Sequence, residues 1–335
     1  MKRYHVYGLG AALVDTEIEV SDRDLAAMGV EKGLMTLVDD QRQQQLLDHL
    51  SGHLVHSRRA CGGSAANSII GLSQFGGSAF YSCRVAADDN GRFYREDMRA
   101  AGVDCPPRAD GDDSNGTTGK CLVMITPDAE RTMNTFLGAS AGLSMADLAP
   151  QAIADSEYLY LEGYLVTSPD GRAAAIAARE MAERNGVKTA LSFSDPGIVA
   201  HFRDGLRDML GERIDLLFCN SHEAMSWAQT DDLEQAAAAL KQIANTFAIT
   251  LGADGAMVYD GTQTHAIEPF AVKAVDTNGA GDMFAGAFLY GITRGLDFPS
   301  AGRLASLAAA TVVANYGPRL QRAQQQQLLA QLGLN

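Results

Sequence analysis

The chain has 335 residues, of which 46% are hydrophobic and 20% charged, the make-up of a soluble globular protein with enough length to bury a substantial core. A formal net charge of −14 opposes nucleic-acid phosphates and anionic lipid, and no apolar run approaches the length of a membrane span, so neither nucleic acid nor membrane is an expected partner. Five cysteines without a C-x-x-C pair argue against a disulfide framework or a zinc cluster and fit a reducing, cytoplasmic setting. The N-terminus runs straight into a strand-like segment and carries no targeting signal.

Taken in chain order, Tyr4 to Leu13 is apolar and Val14 to Val20 alternates apolar with polar residues, as a half-exposed strand does. Asp39 to Leu54 places Leu46, Leu47 and Leu50 at helical spacing, and Ser64 to Phe75 is a second, more apolar helix behind two glycines. A strand follows at Ala79 to Cys83, a helix at Asn90 to Ala101, and two alternating strands at Gly119 to Ile125 and Arg131 to Leu137. From Tyr158 the rhythm is regular, with strands at 158–161, 188–193, 214–219 and 248–251 and helices at 170–185 and 232–246. Two apolar helices, Ala280 to Arg294 and Ser300 to Tyr316, precede a terminal helix from Gln321 to Leu334. The Gln runs read as helix surface. This alternation predicts an α/β fold with a mainly parallel central sheet covered on both faces. With no long linker, 1–335 reads as a single domain, and the half-exposed strands near 14–38 and 105–137 as a small inserted sheet serving as a lid.

Chemistry concentrates at Asp276-Thr277-Asn278-Gly279-Ala280-Gly281-Asp282, between a strand-like Phe270 to Val275 and a helix. Its glycines let successive N–H groups at a helix start converge on an anion. A carboxylate beside an incoming phosphate suits a general base that deprotonates an attacking hydroxyl; the plainer reading of Asp276 or Asp282 is a helix cap. Gly62-Gly63 again precedes a helix, where Asn67 offers both donor and acceptor, and Asp15 accepts from vicinal hydroxyls, a pair suited to polyols. Here the plain alternatives are an ordinary loop and an exposed strand residue. Asn220 and Glu223 follow a strand where open α/β sheets bind ligands, and suit Mg²⁺ held through waters, although N-x-x-E alone favours helix capping. Thr250, Gly252 and Gly255 follow another strand and leave room for a nucleotide ribose or phosphate, or simply make a turn.

Two motifs are rejected. Gly116 to Cys121 imitates a P-loop, but Ser114 stands at the first glycine's place, Cys121 replaces the Mg²⁺-binding hydroxyl and Lys120 enters a strand. Gly8-Leu9-Gly10 begins like a dinucleotide fingerprint, but Leu13 replaces the third glycine and a strand follows where a helix is needed.

In their order along the chain, Gly62-Gly63, Asn220-x-x-Glu223 and D-T-N-G-A-G-D at 276–282 resemble the ribokinase-like (PfkB) carbohydrate kinases. The resemblance implies that Asp282 is the catalytic base, with Gly279, Ala280 and Gly281 as the anion hole. It puts Asp15, Gly62, Gly63, Ser64 and Asn67 on the substrate side. Asn278, Thr250, Gly252 and Gly255 fall on the ATP side, and Asn220 and Glu223 organise Mg²⁺. G-L-G-A-A-L-V-D at 8–15, C-G-G-S-A-A-N-S at 61–68 and E-G-Y-L-V-T-S-P at 162–169 look most like the adenosine kinase-like subgroup. There Tyr164 would stack on a purine and Arg131 approach the transferred phosphate, or else remain a solvated turn residue. Ala11 departs from that subgroup's usual asparagine. The implied reaction is ATP-dependent phosphorylation of a primary hydroxyl of a nucleoside, adenosine-like, with a free sugar such as ribose or fructose as the alternative substrate. A nicotinamide-dependent dehydrogenase and a non-catalytic nucleoside-binding protein are the rival classes. A monovalent cation such as K⁺ is common in the family, and the assembly is read as monomer or homodimer.

Overall fold

The computed structural model describes residues 2–53, 55–106 and 116–334, without the side chains of 56–58. Among these residues the strands form two sheets. The larger has nine strands: β1 (Tyr4–Leu9), β5 (Ala79–Ser82), β6 (Val103–Asp104), β9 (Ser156–Glu162), β10 (Lys188–Ser192), β11 (Ile214–Asn220), β12 (Ala244–Thr250), β13 (Ala256–Tyr259) and β14 (Thr264–Ile267). Their order is β14-β13-β12-β11-β10-β9-β1-β5-β6, with β13 alone antiparallel to both neighbours. Burial on both faces explains why the central strands are near-continuous apolar runs. Val6, Tyr158 and Tyr160 enter one core with α3 (Ser64–Phe75), α4 (Asp89–Ala100), α11 (Ala280–Thr293), α12 (Phe298–Val313) and α13 (Arg322–Gln331). Tyr7, Leu159 and Leu161 enter the other, under α5 (Pro150–Ala154), α6 (Pro169–Arg184), α7 (Pro196–His201), α8 (Arg203–Leu210), α9 (Ser221–Ala228) and α10 (Leu233–Leu240).

The second sheet has five strands in the order β3 (Met35–Leu37), β8 (Arg131–Gly138), β7 (Thr118–Ile125), β2 (Leu13–Glu19) and β4 (Val55–Gly62). Alternation sorts its side chains. Ile18, Leu122 and Met124 pack outward against α1 (Asp22–Met28) and α2 (Asp40–His49). Leu13, Asp15, Cys121, Arg131 and Met133 face the opening between the sheets. The anticipated α/β fold with a parallel, doubly covered sheet and a smaller sheet is therefore present.

Several local expectations differ from the structure. Phe270 to Val275 forms no strand; the N–H groups of Val275 and Asp276 both donate to the Val313 carbonyl at the end of α12, at 2.8 and 3.2 Å. The segment 232–246, read as one helix, stops at Leu240, and β12 begins at Ala244 because pairing with β11 captures it. The small sheet draws a strand from 55–62, outside both segments assigned to it, and the segment near 14–38 contains α1 as well as strands. Residues 107–115 of the other segment, including the Ser114 used against the P-loop, lie outside the described residues. Two glutamines are core rather than surface. Gln43 donates to the Lys120 and Asn134 carbonyls at 3.0 and 3.3 Å, and Gln325 is fully buried.

Candidate active site

Strand order reverses between β1 and β9: the chain steps from β1 to β5 and β6 on one side, and from β9 through β12 on the other. Ligands of open α/β sheets sit at such a switch point, outside the strand C-termini. A cavity of about 680 Å³ lies there, roofed by the small sheet. Gly8 and Gly10, at the end of β1, serve packing: a Cβ at Gly8 would meet Ile69 at 2.5 Å, and one at Gly10 the Glu162 carboxylate at 2.5 Å. Both positions leave no room for a side chain, and β2 follows directly where a dinucleotide fingerprint needs a helix.

At the floor of the cavity, α11 starts on Gly279, whose φ of 73° is left-handed and which caps the helix without a side chain. A Cβ on Gly279 would strike Pro318, whereas one on Gly281 would meet nothing within 4 Å, so Gly281 opens the helix start toward the cavity. The Ala280 N–H makes a long bond to the Thr277 carbonyl at 3.3 Å, and the remaining peptide N–H groups at such an uncapped terminus are available to an anion. Asp282, in the first turn, accepts from Ser64 Oγ at 2.6 Å on one oxygen and from Asn67 Nδ2 at 3.0 Å on the other. Both donors come from the first turn of α3, which Gly63 admits with φ 97°. Burial pushes the Asp282 carboxyl above its ordinary pKa, while these two hydrogen bonds and the charges of Arg131 and Arg319 pull it back. Asp276 does not enter the cavity; its Oδ1 accepts from Asn278 N at 2.8 Å and its Oδ2 from Gly317 N at 2.9 Å, so it shapes the loop beneath.

Facing Asp282 is Asp15, 4% exposed, with Oδ1 buried and lacking a hydrogen-bond partner among the described residues. Burial, then Glu17, raise its pKa well above the usual carboxylate value. A buried carboxylate oxygen left unpaired is costly, and hydroxyl donors on a ligand would satisfy it. Gly62 stands behind this group rather than in the cavity: a Cβ there would overlap the Asp15 carboxylate.

Glu162, at the end of β9, belongs to none of the sequence motifs that carry chemistry. Fully buried, it accepts from Ala11 N at 2.6 Å and Ala65 N at 2.9 Å, joining the loop after β1 to α3. Burial moves its pKa up to about 7, against the pull of those two N–H groups. Its placement at the end of a strand beside the switch point was the available signal. Arg319, likewise outside those motifs, donates to Asn67 Oδ1 at 3.2 Å.

Across the cavity, Asn220 and Glu223 form a reciprocal capping box at the start of α9: Asn220 Oδ1 accepts from Glu223 N at 2.8 Å, and Asn220 N and Nδ2 donate to the Glu223 carboxylate at 2.9 and 2.8 Å. The capping alternative is thus realised, while both residues still line the cavity. Burial lifts Glu223 to about 7. With both its oxygens engaged by Asn220, the set suits a cation held through waters rather than by direct ligation. Thr250, Gly252, Gly255 and Asn278 line the same end. Gly255, with φ 90°, leaves no room for a side chain against the Ile267 carbonyl. Arg131 opens β8 directly after a turn whose Ala129 carbonyl accepts from Thr277 Oγ1 at 3.0 Å. Tyr164 lines the wall, its hydroxyl donating to the Ser194 carbonyl at 3.4 Å.

An α/β molecule with an uncapped glycine helix start, Asp282 in its first turn and the buried Asp15 carboxylate across from it has the frame of a small-molecule phosphotransferase. The chain matches the pfkB family carbohydrate kinase model over residues 34–324 and belongs to that family. Adenosine kinase from Saccharomyces cerevisiae is 28% identical over 331 residues, covering 92% of this chain and 95% of that protein. Ribokinase from Haemophilus influenzae is 28% identical over 267 residues, covering 77% and 82%. Among solved structures, a probable sugar kinase from Rhizobium etli superposes with a TM-score of 0.91 at 32% identity over all of both chains. Adenosine kinase from Sinorhizobium meliloti gives 0.90 at 32% identity over 97% and 99%. The protein is an ATP-dependent sugar or nucleoside kinase of the adenosine kinase-like subgroup.

Proposed function

We propose that the enzyme phosphorylates the primary hydroxyl of a nucleoside, adenosine-like, with Asp282 as general base. The observation that carries the nucleoside reading is the apolar wall of the small sheet. Leu13, Met35, Met133 and Leu137 line the cavity opposite Tyr164, and Met35 and Leu37 remain partly or largely uncovered. A free sugar presents only a small C–H face to this wall, whereas a purine between it and Tyr164 would remove far more of it from water. The orphaned Asp15 oxygen, at the same end, suits the ribose hydroxyls.

On this reading Asp282 accepts the proton of the primary hydroxyl as its oxygen bonds to the terminal phosphorus of ATP and the bond to the ADP oxygen breaks. The N–H groups at Gly279, Ala280 and Gly281 stabilise the transferred phosphoryl oxygens, and Arg131 approaches them from the small sheet. Thr250, Gly252, Gly255 and Asn278 hold the nucleotide. Asn220 and Glu223 would organise Mg²⁺ through waters, and the bound ion would supply charge neutralisation on the phosphates. The small sheet, acting as a lid on a single catalytic domain, excludes water that would otherwise compete with the hydroxyl.

The test is ADP release with Mg-ATP and a panel of adenosine, other purine and pyrimidine nucleosides, ribose and fructose. A nucleoside is expected to give the highest kcat/KM. Highest kcat/KM for a free sugar would replace the nucleoside by that sugar, and no ADP above background with any acceptor would favour a binding protein.

A further inference from the structure

The turn between α12 and α13 touches the catalytic floor at three consecutive residues. Gly317 N donates to Asp276 Oδ2 at 2.9 Å, Pro318 packs where a Cβ of Gly279 would stand, and Arg319 reaches α3. The Arg319 side chain is mostly buried, 16% exposed, and donates to Asn67 Oδ1 at 3.2 Å, to Asp97 Oδ2 at 2.8 Å and to the Cys61 carbonyl. Arginine carries only donors, so the Asn67 group facing it must be the amide oxygen. That orientation turns Nδ2 toward Asp282. With the amide reversed, Asn67 would set an oxygen against the carboxylate and a donor against the guanidinium, two repulsive contacts in a buried site.

We propose that Arg319 is a positioning residue for Asp282: it fixes the Asn67 amide so that its N–H holds the carboxylate oriented toward the acceptor hydroxyl. Asp97, on α4, anchors the guanidinium from the far side, and the bond to the Cys61 carbonyl ties the same group to the strand leading into Gly62-Gly63. The inference rests on the reading of Asp282 as the base.

A staple that only stabilises the fold would contact the same atoms, and a double-mutant cycle separates the two roles. Steady-state kcat is measured for Asn67→Ala, Arg319→Met and the double variant, with melting temperatures of each. Arg319→Met is expected to lower kcat roughly tenfold, and the double variant to be no slower than Asn67→Ala alone. Arg319→Lys, which keeps the charge without the planar fork, should recover only part of the loss. If Arg319→Met does not fold, Asp97→Ala interrogates the same contact: a few-fold loss of kcat is expected, vanishing in the Asn67→Ala background. Losses that multiply in the double variants overturn the inference and leave Arg319 as a staple. Near-normal turnover of Asp282→Asn would instead overturn the base assignment itself, whatever the cycle gives.

Discussion

Asp282 combines burial with two close donors, Ser64 Oγ at 2.6 Å and Asn67 Nδ2 at 3.0 Å. Burial raises the pKa of the carboxyl and makes the carboxylate a better proton acceptor, while the donors and nearby arginines pull it back. Replacing it by Asn keeps the shape and removes the base, so kcat is expected to fall roughly 10²–10⁴-fold with nucleoside binding largely preserved. Turnover assays with parallel calorimetric titration of the acceptor check both halves; near-normal kcat is the outcome that sinks the role. Asp15 behaves differently because its unpaired Oδ1 is proposed to be satisfied by ground-state hydroxyl contacts. Asp15→Ala is expected to raise the acceptor KM roughly 10–100-fold, the scale of one or two buried hydrogen bonds. An unchanged KM with the best acceptor counts against that contact.

The turn Thr126–Glu130 joins β7 to β8 and presents its Ala129 carbonyl to Thr277, with Ala129 itself left-handed at φ 65°. Non-glycine residues hold that conformation only when their surroundings fix it, and here Thr126 Oγ1 and Lys32 brace the turn through Asp128. Thr277→Val keeps the shape and deletes the hydroxyl donor, at a cost of about 1 kcal/mol. Hydrogen exchange at the amides of Thr126 and 128–131 should accelerate and kcat should fall several-fold, with a melting shift of only a few degrees. Unchanged exchange would mean that the contact does not dock the small sheet. Legibility in the sequence follows the same division. The signature loop, β2 and the β7–β8 pair were readable because glycine spacing and period-two alternation are local signals. Strand β4 was not, since residues 55–62 lack alternation and become a strand only through pairing with β2. Helix α1 carries its own signals, the Ser21/Asp24 capping box and Gly29 beyond its end, which were passed over for the neighbouring strands. Arg319 and Glu162 join the site only because the fold returns them from distant segments.

Across the whole molecule, folding brings several carboxyls together around one cavity in a chain of net charge −14. Burial raises Glu17, Glu162 and Glu223 each from 4.5 to about 7. Between those two values the native state holds more protons than the unfolded chain, so each group stabilises below about pH 4.5 and loses that contribution as pH rises through about 7. The change is at most about 3 kcal/mol per carboxyl. The ligand-free enzyme is therefore expected to melt at a higher temperature at pH 5.5 than at pH 7.5. Exposed carboxylates with lowered pKa, such as Asp128 at about 2, titrate below this window and do not offset the trend. General charge repulsion acts in the same direction, so the wild-type slope alone does not isolate the buried groups. Glu162→Gln does, because it removes one titrating carboxyl out of 41 acidic residues and leaves the overall charge almost unchanged. An amide supplies one acceptor for the N–H groups of Ala11 and Ala65 in place of two, so the variant should be less stable at pH 5.5. Its melting temperature should also fall less than the wild type's between pH 5.5 and 7.5. Parallel slopes for the two proteins would show that Glu162 does not take up a proton on folding.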